Sequence, residues 1–232
     1  MSARLHEFKD GAALAEGLAD RVAAVLADAV ATRGKATIAV SGGSTPKAFF
    51  KALSARDIDW SKVTVTLVDE RFVPADNPRS NHLLVAENLL QDKAKAANFL
   101  PLYRDAGSAE EAAKLVSEDT GALGHPFDVA VLGMGTDGHT ASFFPGGSKL
   151  AEAISAQTPR GVITMEAEGA GEPRLTFTFA SLQDARLLVL HIEGQGKKDV
   201  LAAAESDGPE EDMPIRAILR RAQTPVDIYW AP

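Results

Sequence analysis

The sequence predicts a doubly wound α/β fold, and three observations carry that prediction. Five short aliphatic and β-branched runs, "ATIAV", "VTVTLV", "FDVAVL", "RLLVLHI" and "VDIYW", have the composition of strands buried on both sheet faces. The stretches between them carry apolar residues at helical spacing or helix-capping signals. Two of the runs empty directly into glycine-rich turns, "SGGSTP" and "GMGTDG". In an open α/β sheet, ligands bind outside the carboxyl ends of the strands, so these turns are where function is to be sought.

The elements follow in order. A first strand is expected near Leu5 to Phe8. Leu14, Leu18, Val22, Val25, Leu26 and Ala29 then recur at helical spacing, and Gly34 ends that helix. "ATIAV" leads through Gly42 and Gly43 into a helix with Ser44 or Thr45 as its N-cap and Pro46 in its first turn. "VTVTLV" runs into Asp69, Glu70 and Arg71, and Ser80 caps "NHLLVAENLL". Ser108 and Glu111 form a capping box for a helix reaching about Thr120. "FDVAVL" follows, then the strand candidates "GVITME" and "RLTFTF", then "RLLVLHI", a helix that Lys197 opens, and "VDIYW". Glu168 to Arg174 and Glu205 to Asp212 read as exposed loops.

Composition removes several classes of function. A chain of 232 residues, 45% hydrophobic, can bury a sizeable core. With no cysteine, a disulfide scaffold, a thiol nucleophile and cysteine-ligated metal sites are excluded. A formal charge of −8 disfavours binding to nucleic acid or to an anionic membrane, both of which need a basic surface. "MSARLHEFKD" has no apolar signal core, and no run approaches the roughly 20 residues that span a bilayer, so the expected location is the cytoplasm. The expected partner is a small molecule.

"GMGTDGHTASFFPG", Gly133 to Gly146, has the G-x-G-x-x-G spacing of a dinucleotide turn. That reading needs a long helix starting at the third glycine, yet Pro145 and Gly146 leave room for about two turns at ~3.6 residues each. His139, the histidine of this glycine-rich strand-end loop, is instead a chemical candidate, because an imidazole titrates near neutrality. Asp137 is placed to orient it, although two residues of spacing leave direct contact open. Gly135, Gly138 and Thr140 offer amides for an oxyanion or substrate. The Gly42–Gly43–Ser44–Thr45 turn suits a compact phosphate ester, with backbone N–H groups and hydroxyls aimed at the anion. Asp69, Glu70 and Arg71 stand at the next strand end, and Arg174 and Lys197 are further cations for an anionic ligand. Lys198 competes with Lys197 for that role. His6, His82, His125 and His191 form no close metal-ligand pair, and there is no G-x-S-x-G elbow. Neither a metal nor another cofactor is expected.

"SGGSTP", "LVDERFVP" with "SNHLL", "LGMGTDGHTASFFPG", "PRLTFT" and "GQGKKDVL", spread from Ala36 to Leu201, resemble the 6-phosphogluconolactonases in order and spacing. Glucosamine-6-phosphate deaminases share some glycine positions, but their D-G-H motif continues as "IAFNEP" where this chain has "TASFFP". The resemblance implies one lactonase domain over residues 1–232, a three-layer α/β/α sandwich around a mainly parallel, Rossmann-like sheet. It implies hydrolysis of 6-phospho-D-glucono-1,5-lactone in the oxidative pentose phosphate pathway, with His139 as base and no cofactor. It carries over Arg71 and Lys197 as ligand contacts, and Arg174 on a loop that departs from the family's consecutive prolines. The protein is expected as a monomer or small homo-oligomer. A deaminase-like isomerase using Asp69, and a non-catalytic sugar-phosphate sensor, are the alternatives.

Overall fold

In the computed structural model, which describes residues 3–232, the β-strands are β1 (Arg4–Glu7), β2 (Ala36–Val40), β3 (Val63–Leu67), β4 (Asp69–Arg71), β5 (Asn98–Leu100), β6 (Val129–Leu132), β7 (Val162–Met165), β8 (Arg174–Phe177), β9 (Leu187–Glu193) and β10 (Val226–Ala231). The first two positions of the expected 1–232 domain lie outside the described residues. The helices are α1 (Gly11–Arg33), α2 (Lys47–Ser54), α3 (Asn81–Asn88), α4 (Ala109–Gly121), α5 (Leu150–Ile154), α6 (Phe179–Leu182), α7 (Gln195–Glu205) and α8 (Ile215–Arg221).

Seven strands form one sheet in the order β1-β10-β9-β6-β2-β3-β5. Every neighbouring pair is parallel. Helices flank this sheet as a three-layer sandwich, which is why β2 and β6 are buried at every position and carry no alternating polar face. From β2 the chain builds outward through β3 and β5, and later through β6, β9 and β10 on the other side. The reversal lies between β2 and β6, the crevice where this architecture places ligands.

The helices form for local reasons. Asp10 caps α1 by accepting the Ala13 amide, and Gly34 closes it in the left-handed region. Ser108 accepts the Glu111 amide at the start of α4, while Glu111 reaches back to the Gly107 amide, one position before the expected capping-box partner. Phe49 and Phe50 of α2 are fully buried, each contributing about 1.5–3 kcal/mol, and they press this short helix onto the core.

Two expectations change. Ser44 and Thr45 do not cap α2: its N-cap is Pro46, with no side-chain cap bond, because the turn continues through residues 43–46 before helical hydrogen bonding starts. The Asp69–Arg71 segment does not simply stand at the end of β3. It forms β4, which pairs antiparallel with β8, and β8 with β7, in a separate three-stranded sheet beside the sandwich. None of the helices is long and apolar enough to cross a membrane among the described residues.

Candidate active site

A cleft of about 400 Å³ opens at the carboxyl ends of four adjacent strands, β3, β2, β6 and β9. Its wall includes Gly42, Gly43, Ser44, Thr45, Asp69, Arg71, Gly135, His139, Arg174 and Lys197. Segments distant in sequence thus meet because the sheet aligns the strands that deliver them.

After β2, residues 42–45 form an open amide cradle. Among the described residues, the N–H groups of Gly42, Gly43, Ser44 and Thr45 donate to no protein acceptor. The hydroxyls of Ser44 and Thr45, which line the same cleft, are not used in capping α2. Gly42 is required by close approach: a Cβ there would lie 1.8 Å from Asn81 Oδ1. Asn81 belongs to the cleft wall, and its Nδ2 donates to the Asp69 carbonyl at 2.9 Å.

After β6, the glycine loop uses its amides internally. Gly135 N–H donates to the His139 carbonyl at 2.8 Å and Gly138 N–H to the Gly135 carbonyl at 3.2 Å. Neither is available for an oxyanion. Thr140 is fully buried, with its hydroxyl on the Gly133 carbonyl, and faces away from the cleft. The loop's product is the placement of one side chain. His139 Nδ1 lies 2.6 Å from Asp137 Oδ1, and the His139 amide donates to the same oxygen at 3.1 Å, so the two-residue spacing does allow direct contact. Burial pushes the Asp137 carboxyl up, but the His139 amide and imidazole outweigh it and hold the group below the usual aspartate range. A Cβ at position 135 would fall 2.1 Å from His139 Nδ1, so glycine there makes room for the ring. Phe144 packs tilted against the imidazole at 4.6 Å between centroids. Ala141 holds φ 47°, an uncommon conformation for a residue with a Cβ, two positions beyond the histidine.

The small sheet supplies charge. Its register sets Arg71 directly opposite Arg174. Like charges facing each other across a strand pair are destabilising, and the pair is tolerable only with anions near it. Asp69, 7% exposed, is one: its Oδ2 lies 3.9 Å from Arg174 Nη1 and accepts the Ser142 hydroxyl at 2.6 Å. Arg174, only 9% exposed, also donates to the Ala170 carbonyl and lies over the Phe144 ring. Burial lowers its pKa, Asp69 opposes that, and Arg71 adds to it. Arg71 donates to the Arg79 carbonyl, while its Nε, among the described residues, is buried without a partner. The two guanidiniums therefore retain capacity for an additional anion.

On the opposite side, Gly194 turns β9 into α7. That turn is tied to the last strand: Gly194 N–H donates to the Ala231 carbonyl at 2.8 Å, and the Trp230 indole donates to the Gly194 carbonyl at 3.0 Å. Lys197 then projects to the cleft and donates to the Met134 carbonyl at 2.7 Å. Burial lowers its pKa, against the raising influence of Asp137. Lys198 leaves the helix on another side, over the Trp230 ring and paired with Glu7, so Lys197 is the lysine at the cleft.

Not every expected residue belongs to the wall. Glu70 is fully buried, and its carboxylate accepts from the amides of Arg71, Asn81 and His82 and the Ser80 hydroxyl. It fixes the β4–α3 connection and does not face a ligand. Burial holds its pKa above the ordinary glutamate range despite those donors. The 168–174 segment is not simply an exposed loop, because Gly169 and Ala170 close one side of the cleft and the Ala170 carbonyl serves Arg174. His191 is buried in the cleft wall with Nε2 on Glu193 at 3.0 Å. Asn81, Ser142 and Phe144 carry no chemistry-bearing spacing; only the burial of a polar Asn behind the Ser80 cap could have flagged one of them. Among the described residues, no cluster of His, Asp and Glu suits a metal ion.

Comparison with known proteins is consistent across the whole chain. Residues 9–230 match the family described as glucosamine-6-phosphate isomerases/6-phosphogluconolactonase. A 6-phosphogluconolactonase of Rhizobium meliloti is 69% identical over 232 residues, covering 100% of both chains. Another, of Mesorhizobium japonicum, is 53% identical over 97% of this chain and 94% of its own. The crystal structure of a 6-phosphogluconolactonase from Shewanella baltica superposes with a TM-score of 0.96 at 40% identity, covering 100% of this chain and 98% of that one.

Proposed function

This chain belongs to the family of glucosamine-6-phosphate isomerases and 6-phosphogluconolactonases, and from that premise we propose that it hydrolyses 6-phospho-D-glucono-1,5-lactone to 6-phosphogluconate, a step of the oxidative pentose phosphate pathway. The observation that carries the chemistry is the 2.6 Å contact between His139 Nδ1 and Asp137 in a cleft rimmed by three cations. With Nδ1–H donated to the carboxylate, the lone pair of the neutral imidazole is on Nε2, the tautomer a general base needs.

His139 takes a proton from water as the oxygen attacks the lactone carbonyl. The tetrahedral oxyanion collapses, the bond from the carbonyl carbon to the ring oxygen breaks, and the imidazolium returns its proton to that oxygen. One water is consumed and one carboxyl and one hydroxyl are formed. The phosphate is assigned to the empty amides of Gly42–Thr45 with Arg71 and Lys197, and Arg174 adds to the field that stabilises the developing oxyanion. Asp137 orients the base. Because the substrate is a charged phosphate ester that does not cross a bilayer unaided, the reaction is placed in the cytoplasm.

The test is lactone hydrolysis measured above the spontaneous background, with the phosphorylated and unphosphorylated lactones in parallel. The phosphorylated lactone is expected to be strongly preferred, and full activity is expected after exhaustive chelation and desalting. Equal kcat/KM for the two lactones would remove the phosphate assignment. Ammonia released from glucosamine 6-phosphate, without lactone hydrolysis, would move the chain to the isomerase side of its family.

A further inference from the structure

The catalytic loop is held from outside the cleft by a segment that contributes nothing to the cleft wall. Met213 packs on Gly138: a Cβ at position 138 would lie 2.9 Å from Met213 Cβ and 3.0 Å from its Cε. Two residues on, the Ile215 amide donates to the Gly138 carbonyl at 2.9 Å. Gly138 stands between Asp137 and His139 and has φ 78°. Its two peptide planes therefore set how the carboxylate and the imidazole face each other, and this external clamp fixes one of them.

Behind the clamp is Arg216. It is 5% exposed and, among the described residues, has no carboxylate partner. Its guanidinium donates to the carbonyls of Ala203 at 3.0 Å, Ala204 at 3.2 Å, Pro209 at 2.9 Å and Asp207 at 3.4 Å. Ala203 and Ala204 lie in the last turn of α7, where carbonyls lack intrahelical partners and the helix dipole favours a cation. Pro209 and Asp207 belong to the exposed acidic loop between α7 and α8. One planar fork thus joins the end of the helix that carries Lys197 to the loop that ends in Met213. Burying a charge with carbonyls alone is costly, and packing does not require it, since an aliphatic side chain would fill the same space.

We propose that Arg216 is a positioning residue for the reaction: through the 207–215 segment and its clamp on Gly138, it fixes the geometry of the Asp137–His139 pair. The proposal rests on the lactonase reading for its kinetic readout, but not for its spectroscopic one.

Two variants test it. Arg216→Lys keeps the charge but cannot serve four carbonyls with one ammonium, and Met213→Ala leaves the guanidinium in place while emptying the contact on Gly138. In both, kcat is expected to fall by about 10–100-fold, the size of effect that sub-ångström to ångström misplacement of a reacting group produces, with KM changed by less than about twofold. The ¹⁵N signals of the His139 ring should change from a single Nδ1-protonated tautomer to a mixture. If Arg216→Lys fails to fold, Met213→Ala decides. A Met213→Ala protein with native kcat and native His139 signals overturns the proposal, even if its Tm falls. If the unmodified protein proves not to hydrolyse the lactone, the functional reading fails, and the ¹⁵N signals alone decide whether the clamp positions the pair.

Discussion

The two glycine turns of the cleft look alike in sequence and behave in opposite ways. The turn after β2 leaves the amides of residues 42–45 open to whatever enters the cleft. The turn after β6 closes the amides of Gly135 and Gly138 onto its own carbonyls and displays a histidine. In each, one glycine makes room for a polar side chain, Asn81 in the first and His139 in the second. The lesson is that glycine content marks a backbone that something approaches closely. It does not say whether the approaching group is a ligand or one of the protein's own side chains.

If that contrast is correct, perturbing the second turn should act on turnover and perturbing the first on affinity. The largest effect is expected for His139→Asn, with kcat reduced by about 10²–10⁴-fold and KM little changed. A native kcat would mean that another group acts as the base, with Asp69 the next candidate. Arg71→Ala, at the affinity side, should mainly raise KM by about 10–100-fold, the loss of one charge-assisted contact worth ~1.5–3 kcal/mol.

A matched pair of glycine substitutions sharpens the comparison. Gly135→Ala places a methyl 2.1 Å from His139 Nδ1 and 2.5 Å from Asp137 Oδ1, so kcat should drop by roughly tenfold or more. Gly42→Ala displaces Asn81 instead and should raise KM with a smaller change in kcat. Measuring both constants for both variants settles it, since the same split in the two would erase the distinction.

The smallest effect is on stability. Burial lowers the folded-state pKa of Lys197, so the folded chain binds that proton less tightly than the unfolded chain does. The charged lysine therefore costs stability below its folded pKa, and the cost fades as pH rises through the ordinary lysine range. Lys197→Met should raise Tm slightly near neutrality while impairing substrate binding, and the Tm advantage should shrink in alkaline buffer. A lower Tm at neutral pH would show that its bond to the Met134 carbonyl outweighs the burial cost.

Much of the fold was legible because its signals are local. The aliphatic runs of β2, β3, β6, β9 and β10, the Ser80 and Ser108 caps and the Gly34 stop each follow from neighbouring residues. What escaped depends on residues far apart in sequence. Nothing around Asp69 announces that it leaves the main sheet to pair with Thr176 across a second one. Glu70 and Asp69 are indistinguishable in sequence, yet strand alternation turns one to the α3 N-terminus and the other to the cleft. Lys197 and Lys198 are told apart only by where Trp230 and Glu7 lie. Gly138 and Thr140 shared the motif with His139 but do not line the cleft: the Gly138 amide is spent on the Gly135 carbonyl and the Thr140 hydroxyl on the Gly133 carbonyl.

The bonds between Gly194 and β10 make the cleft depend on a strand that contributes nothing to its wall. The turn that launches Lys197 is fastened by the Ala231 carbonyl and the Trp230 indole. The first strand, too, waits for the last, since Arg4 pairs with Asp227. Closing so long a loop is entropically slow. Fraying of β10 therefore leaves His139 in place but releases the anchor of its opposing cation, Lys197.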